Sequence, residues 1–156
     1  MRYALLPALA LTLCAICVAP AGAAGRHIYP APELAAADLA AGLQTAAAGH
    51  KRVLVDFGGD WCTDCQVLDL YLHDDANAAL LAANYVLVHV NVGRMLERNL
   101  DIAEKLEIPL KKGVPALAVL EPDGRIVYSQ KSGEFEAMRH MESAAVTGFL
   151  TQWRPR

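Results

Sequence analysis

Cys62 and Cys65 stand two residues apart at the end of an apolar run, and cysteines at that spacing do either redox or metal chemistry. The run is Val53-Leu54-Val55-Asp56-Phe57, followed by Gly58, Gly59, Asp60 and Trp61. β-Branched and aromatic residues read as a strand, the paired glycines as a turn, and the residues after Cys62 as the start of a helix. A helix N-terminus offers unpaired N–H groups and the positive end of the dipole. A thiol placed there ionises more readily, and the thiolate is the reactive species. Dithiol–disulfide exchange is the chemistry this placement suits.

Metal binding would need more ligands. Zinc takes four, and this pair supplies two. Cys14 and Cys17 form a second Cys-x-x-Cys, but they lie in the apolar N-terminal stretch. The histidines fall at positions 27, 50, 73, 89 and 140 without a paired spacing. Neither a metal nor an organic cofactor is expected.

The first residues read as a targeting segment. Arg2 gives a short positive start, Ala4 to Val18 is almost wholly apolar, and Ala21-Gly22-Ala23 offers small residues for cleavage. We assign residues 1–24 to a secretory signal peptide and residues 25–156 to one domain, with cleavage after Ala23 or Ala24. The alternative is a retained anchor, and only then would the membrane be a partner. The apolar run is short of the roughly 20 residues that a span requires, and Pro20 interrupts it. Leu13 and Ile16 precede the two cysteines, where lipid attachment would want a small residue. After cleavage only Cys62 and Cys65 remain. A single close pair does little to staple an exported domain, so chemistry explains it better.

The 156 residues carry 14 basic and 17 acidic side chains, a net charge of −3, and no basic patch. Nucleic acid is therefore not expected as a partner. The elements that must hold the cysteines read in the order α-β-α-β-α-β-β-α. A helix spans Leu34 to Ala48, a buried strand Lys51 to Phe57, and a cysteine-bearing helix Thr63 to about His73. Asp74 to Ala83 adds a further helical turn or two. Strand Tyr85 to Val92 and helix Leu96 to Leu106 follow. A loop at Ile108 to Gly113 precedes strand Pro115 to Leu120. Glu121-Pro122-Asp123-Gly124 is a hairpin turn. Strand Arg125 to Ser129 returns from it, and Glu134 to Trp153 closes the chain as a helix. Alternating strands and helices with one hairpin imply a mixed sheet covered on both faces.

With these elements in order, the chain resembles the thioredoxin-fold family from about Leu34 to Trp153. Three features carry the resemblance: Val-Asp-Phe-Gly-Gly-Asp-Trp-Cys-x-x-Cys, the Gly113-Val114-Pro115-Ala116-Leu117 loop, and the Asp123-Gly124 hairpin before a last helix. It implies an α/β fold, a thioredoxin-like three-layer α/β/α sandwich with a mixed central sheet. The flavour is similar to exported bacterial members of the Dsb and cytochrome-maturation reductase type. Thr63-Asp64 replaces the family's Gly-Pro, Gly58 stands where a tryptophan is usual, and Leu110-Lys111-Lys112 lengthens the loop before Pro115.

The resemblance assigns roles. Cys62 is the nucleophile and Cys65 resolves the mixed disulfide. Asp56, a carboxylate in an apolar strand, is the general base for Cys65; the alternative is an aspartate pointing to solvent from a strand end. His89 falls near where a lysine pairs with that aspartate and would modulate it, or is an edge-facing histidine. Pro115 is expected to be cis, with Val114 binding an extended substrate. Trp61 is a flat apolar contact beside Cys62, and Trp153 packs in the core. Asp64 places a negative charge near both sulfurs, which disfavours the thiolate and makes the pair more reducing. The expected function is periplasmic reduction of protein disulfides, with a membrane or periplasmic thiol as electron donor. The competing class is a redox-inactive binding module or a copper-handling protein, for which copper would want a third soft or imidazole ligand beside the two cysteines.

Overall fold

The computed structural model describes residues 26–156; the expected signal segment, with Cys14 and Cys17, lies outside the described residues. A 3-10 turn at Pro32–Leu34 leads into α1 (Ala35–Gly49), an alanine-rich helix that ends where His50 turns left-handed (φ 52°). Then come β1 (Arg52–Gly58), α2 (Thr63–Leu72), α3 (Asp75–Asn84), β2 (Tyr85–Asn91), α4 (Leu100–Lys105), β3 (Ala116–Leu120), β4 (Ile126–Ser129) and α5 (Ser143–Gln152).

The four strands form one sheet in the order β2-β1-β3-β4. β1 runs parallel to β2 and antiparallel to β3, and β3 pairs antiparallel with β4. Successive side chains on a strand face opposite ways, and the two cores follow that rule. Val53, Val55 and Phe57 of β1 pack with Ala116, Ala118 and Leu120 of β3 under α1 and α4. Leu54, Leu117 and Val119 pack on the other face against Leu68 and Leu72 of α2, Leu81 of α3, and Val146, Phe149 and Leu150 of α5. The result is the three-layer α/β/α sandwich with a mixed central sheet, a thioredoxin-like fold.

Three elements differ from the sequence expectation, and tertiary contacts explain them. Residues 74–83, expected as a further helical turn or two, belong to a separate helix of 10 residues, α3. Asp74 breaks the chain and caps α3 by accepting from the Asn77 N–H (2.8 Å). The helix expected from Leu96 is reduced to α4, because Leu96 and Asn99 adopt left-handed backbone (φ 57° and 55°). The Asn99 amide holds that bend by donating to the carbonyls of Pro32 (3.0 Å) and Asn91 (2.7 Å). The closing helix begins at Ser143, not at Glu134. Before it, Met138 is buried against the α2/α5 core, and the Arg139 N–H donates to the Asp64 carboxylate (2.9 Å) rather than to a helical carbonyl.

Asn77 locks three helices together. It is fully buried; its Nδ2 donates to the Tyr71 carbonyl (2.8 Å) and the Ser143 hydroxyl (3.0 Å), and its Oδ1 accepts from the Thr147 hydroxyl (2.7 Å). Asn77→Ala removes three hydrogen bonds between partly buried groups of these helices, at a cost of about 2–3 kcal/mol. Urea unfolding is expected to show that loss, while disulfide-exchange rates at low denaturant stay unchanged.

Candidate active site

The two cysteines sit where strand gives way to helix. Cys62 is the N-cap residue of α2, with extended backbone (φ −90°, ψ 112°). Its Sγ accepts the Cys65 N–H at 3.1 Å, so the sulfur takes the place of the usual capping oxygen. Cys62 and Cys65 are joined by a disulfide. Cys65 is wholly buried, whereas Cys62 keeps 6% of its surface. The more accessible sulfur is thus also the one at the positive end of the helix dipole. Trp61, 39% exposed, lies beside it.

Across from the disulfide, the Val114–Pro115 peptide is cis. The Val114 carbonyl oxygen lies 3.7 Å from Cys62 Sγ. This loop is braced from behind by Gln130, a buried side chain that the sequence did not single out. Its Oε1 accepts from the Leu117 N–H (3.2 Å) and its Nε2 donates to the Pro115 carbonyl (3.3 Å).

Asp56 is wholly buried in the middle of β1, so the solvent-pointing alternative does not hold. Its Oδ2 receives two groups. The Tyr29 hydroxyl donates at 2.6 Å, and His89 Nδ1 lies at 3.0 Å. Its Oδ1 is buried with no hydrogen-bond partner among the described residues. Asp56 and Gly58 share the β1 face that α2 covers, two residues apart. A Cβ on Gly58 would strike both the Tyr29 hydroxyl and Cys65 Sγ, so those atoms flank one point. The carboxylate, the phenol and the Cys65 sulfur therefore converge. The small residue at position 58 leaves room for the Tyr29 hydroxyl where this chain departs from the family's tryptophan.

The pair with Asp56 sets the titration of its neighbours. Burial opposes protonation of His89, but the Asp56 hydrogen bond and charge, aided by Asp69 and Asp60, outweigh it and raise the imidazole above its usual range. Burial, then the Asp56 charge and hydrogen bond, push Tyr29 well above the usual phenol value. Tyr29 is thus a permanent donor. Its ring also stacks edge-on against His89, with centroids 5.0 Å apart.

Tyr29 belongs to the lead-in before α1, and sequence reasoning missed it. The lead-in is tied down along its length. Asp60 accepts from the N–H groups of Ile28 (2.8 Å) and Tyr29 (3.0 Å) and pairs with His27 Nδ1 (2.7 Å). Burial raises Asp60, but these three contacts prevail and hold its carboxyl below the ordinary value. Gln66 Nε2 donates to the Arg26 carbonyl of the lead-in (3.4 Å) as well as to the Asp60 carbonyl (2.8 Å), and Asn91 Nδ2 donates to the Pro30 carbonyl (3.1 Å). Arg26 pairs with Asp69 of α2 (3.0 Å). The one signal in the sequence was Gly58, whose small size called for something to fill the space.

Asp64 requires a correction. Its charge does not stand bare beside the sulfurs. Arg139 Nε contacts both carboxylate oxygens at 3.1 Å, and the Arg139 N–H binds Oδ1 as well. The guanidinium offsets much of the field that Asp64 would impose on Cys62. A partner 75 residues away leaves no local mark in the sequence. Among the described residues, no group of three or more His, Cys, Asp or Glu side chains is placed to hold a metal ion, and no helix is long and apolar enough to cross a membrane.

Comparison with known proteins agrees with this geometry. The thioredoxin-like family profile matches residues 34–122. A disulphide isomerase from Xylella fastidiosa Temecula1 has a solved structure that superposes with a TM-score of 0.76 at 31% identity, covering 83% of this chain and 98% of that one. A thioredoxin from Thermus thermophilus shares the fold, with a TM-score of 0.52 at 23% identity over 83% of this chain and 87% of its own. In sequence, 94 residues (60% of this chain) are 29% identical to the thiol:disulfide interchange protein DsbD of Photorhabdus laumondii subsp. laumondii. The match spans only 16% of that longer protein. The profile match over more than half of the chain, the sheet order and the disulfide at the start of α2 lead to one assignment: the chain belongs to the thioredoxin-like family.

Proposed function

We propose that this protein is an exported thiol–disulfide oxidoreductase that reduces protein disulfides in the periplasm. The observation that carries this reading is the Cys62–Cys65 disulfide at the N-terminus of α2, opposite the cis Val114–Pro115 peptide. Reduced Cys62, as thiolate, attacks a substrate sulfur and forms a mixed disulfide. The substrate lies extended along the loop, with the backbone of Val114 as its hydrogen-bonding edge and Trp61 as its apolar contact. Cys65 then gives its proton to Asp56, and its thiolate attacks Cys62 Sγ. The Cys62–substrate bond breaks, and the substrate sulfur leaves with the electron pair. Two electrons have passed to the substrate, and the protein is left as the disulfide. No bound cofactor takes part. A membrane or periplasmic thiol regenerates the dithiol, and the likeness to one segment of an interchange protein supports such a donor. The apolar residues 4–18 with Ala21-Gly22-Ala23 support export by a cleaved signal peptide over residues 1–24.

Isomerase activity is the second reading, supported by the Xylella relative. The copper-handling reading has less behind it. His89, the imidazole nearest in register to the site, is engaged with Asp56.

The equilibrium reduction potential of the Cys62–Cys65 pair against glutathione buffers tests the direction of electron flow. A value near that of thioredoxin, about −270 mV, is expected; a value near about −120 mV marks an oxidant and overturns the reductase reading. Insulin reduction and refolding of scrambled ribonuclease, run side by side, separate reductase from isomerase. Cys62→Ser is expected to abolish both activities, while Cys65→Ser accumulates a mixed disulfide on Cys62. Arg139→Ala frees the charge of Asp64 beside the sulfurs. It is expected to move the potential to more negative values by roughly 10–20 mV, the scale of a partly exposed ion pair, with a smaller shift at high salt.

A further inference from the structure

We propose that Tyr29 and His89 are positioning residues for Asp56: both bind Oδ2, which leaves Oδ1 as the one carboxylate oxygen that takes and returns the proton of Cys65. This inference rests on the assignment of Asp56 as the base for Cys65.

The two oxygens of Asp56 have unlike surroundings. Oδ2 is approached by the Tyr29 hydroxyl at 2.6 Å and by His89 Nδ1 at 3.0 Å. Oδ1 has neither, although it is buried. A buried carboxylate oxygen without a donor is costly, on the scale of a lost hydrogen bond or more. Such an atom is the natural acceptor for a nearby acidic proton. The acidic proton at hand is that of Cys65, whose sulfur flanks the same Gly58 that the Tyr29 hydroxyl flanks.

Against an ionised Asp56, Nδ1 of His89 carries the proton and donates. The phenol is held well above its usual range and stays protonated, so it too donates. With Oδ2 doubly bound, the carboxylate cannot rotate freely, and Oδ1 is the oxygen left without a donor. The proton balance closes within the site. During resolution the Cys65 S–H bond breaks and an Oδ1–H bond forms. The sulfur's electron pair makes the Cys62–Cys65 bond and expels the substrate thiolate. When a donor thiol later cleaves that disulfide at Cys62, Cys65 departs as thiolate and recovers the proton from Oδ1.

His89 links this step to bulk pH. Its side chain is 16% exposed. It lines an open cleft of about 440 Å³ with His27 and Pro30 of the lead-in, Asp38 and Thr45 of α1, and Val86 of β2. Asp56 from β1 and Tyr29 from the lead-in contact it, Asp60 from the active-site turn and Asp69 from α2 act on it electrostatically, and His27 from the lead-in and Asp38 from α1 line the same cleft. While cationic, His89 neutralises Asp56 and makes Oδ1 a poorer proton acceptor. Its raised imidazole loses that charge above its ordinary value of 6.5. Resolution should therefore accelerate as pH climbs through that region.

The test is rapid mixing of the reduced protein with glutathione disulfide, followed by acid quench and mass spectrometry of the Cys62–glutathione adduct across pH 5–9. Adduct formation reports Cys62 alone, and adduct decay reports Cys65. Tyr29→Phe is expected to slow decay about 10-fold, part of the 10²–10⁴ typical of general acid–base catalysis, with formation unchanged. His89→Gln is expected to flatten the limb above pH 6.5 in the decay rate. Decay in both variants at the wild-type rate and pH profile, with Asp56→Asn slow, overturns the inference and leaves the oxidoreductase reading intact. Equal slowing of formation and decay overturns it too, since that marks a general structural defect. Wild-type decay in Asp56→Asn removes the base on which the inference rests. Should Tyr29→Phe fail to fold, the pH profile of His89→Gln decides alone.

Discussion

A carboxylate buried in the central strand of a sheet must be paired or neutralised, because the solvation it gives up is worth several kcal/mol. Asp56 meets that demand with two partners on one oxygen, the phenol of Tyr29 and the imidazole of His89. Much of the surrounding architecture follows. β2 must lie parallel to β1 in the register that sets His89 opposite Asp56. Residue 58 must be glycine so that a phenol can come within reach of the carboxylate under the resolving cysteine. The lead-in must cross the active-site turn to deliver that phenol.

The lead-in is held by contacts that each belong to another element. Asp60 sits in the turn between β1 and α2, Gln66 and Asp69 lie on α2, and Asn91 ends β2. Asp60 thus has a different task from the acidic residues around it. It caps the backbone of the lead-in and so fixes where Tyr29 enters. The arrangement couples the reactive sulfurs to chain that lies outside the sheet. Arg139 makes a similar long-range connection on the other side, where the segment before α5 folds over the start of α2.

Much of the fold could be read from local pattern. The apolar runs at 53–57 and 86–90, the Asp123-Gly124 turn and the Cys-x-x-Cys after paired glycines each have a local cause, and the structure places all of them as strands, hairpin and helix start. The helix ends were less legible. The bend at Asn99 depends on carbonyls 8 and 67 residues away, and the late start of α5 depends on Asp64 and the burial of Met138. In the site, the cysteines and Asp56 declared themselves by residue type in an unlikely setting. Tyr29, Gln130 and Arg139 did not, because an aromatic in a lead-in, an amide after a strand and an exposed arginine have no local oddity. Their parts come from partners that only the folded chain supplies.

The family profile begins at residue 34, five positions after Tyr29. The matched span therefore starts after a residue whose hydroxyl contacts the buried Asp56. A fragment cut at the start of the recognisable domain would keep both sulfurs, the cis peptide and the buried carboxylate, yet would leave Asp56 facing a hole where a hydroxyl belongs. Relatives aligned over the domain alone can look equivalent at every motif and differ in the few residues ahead of it. In this architecture the stretch of chain ahead of the matched domain is also part of the wall around Asp56 and the Cys62–Cys65 disulfide.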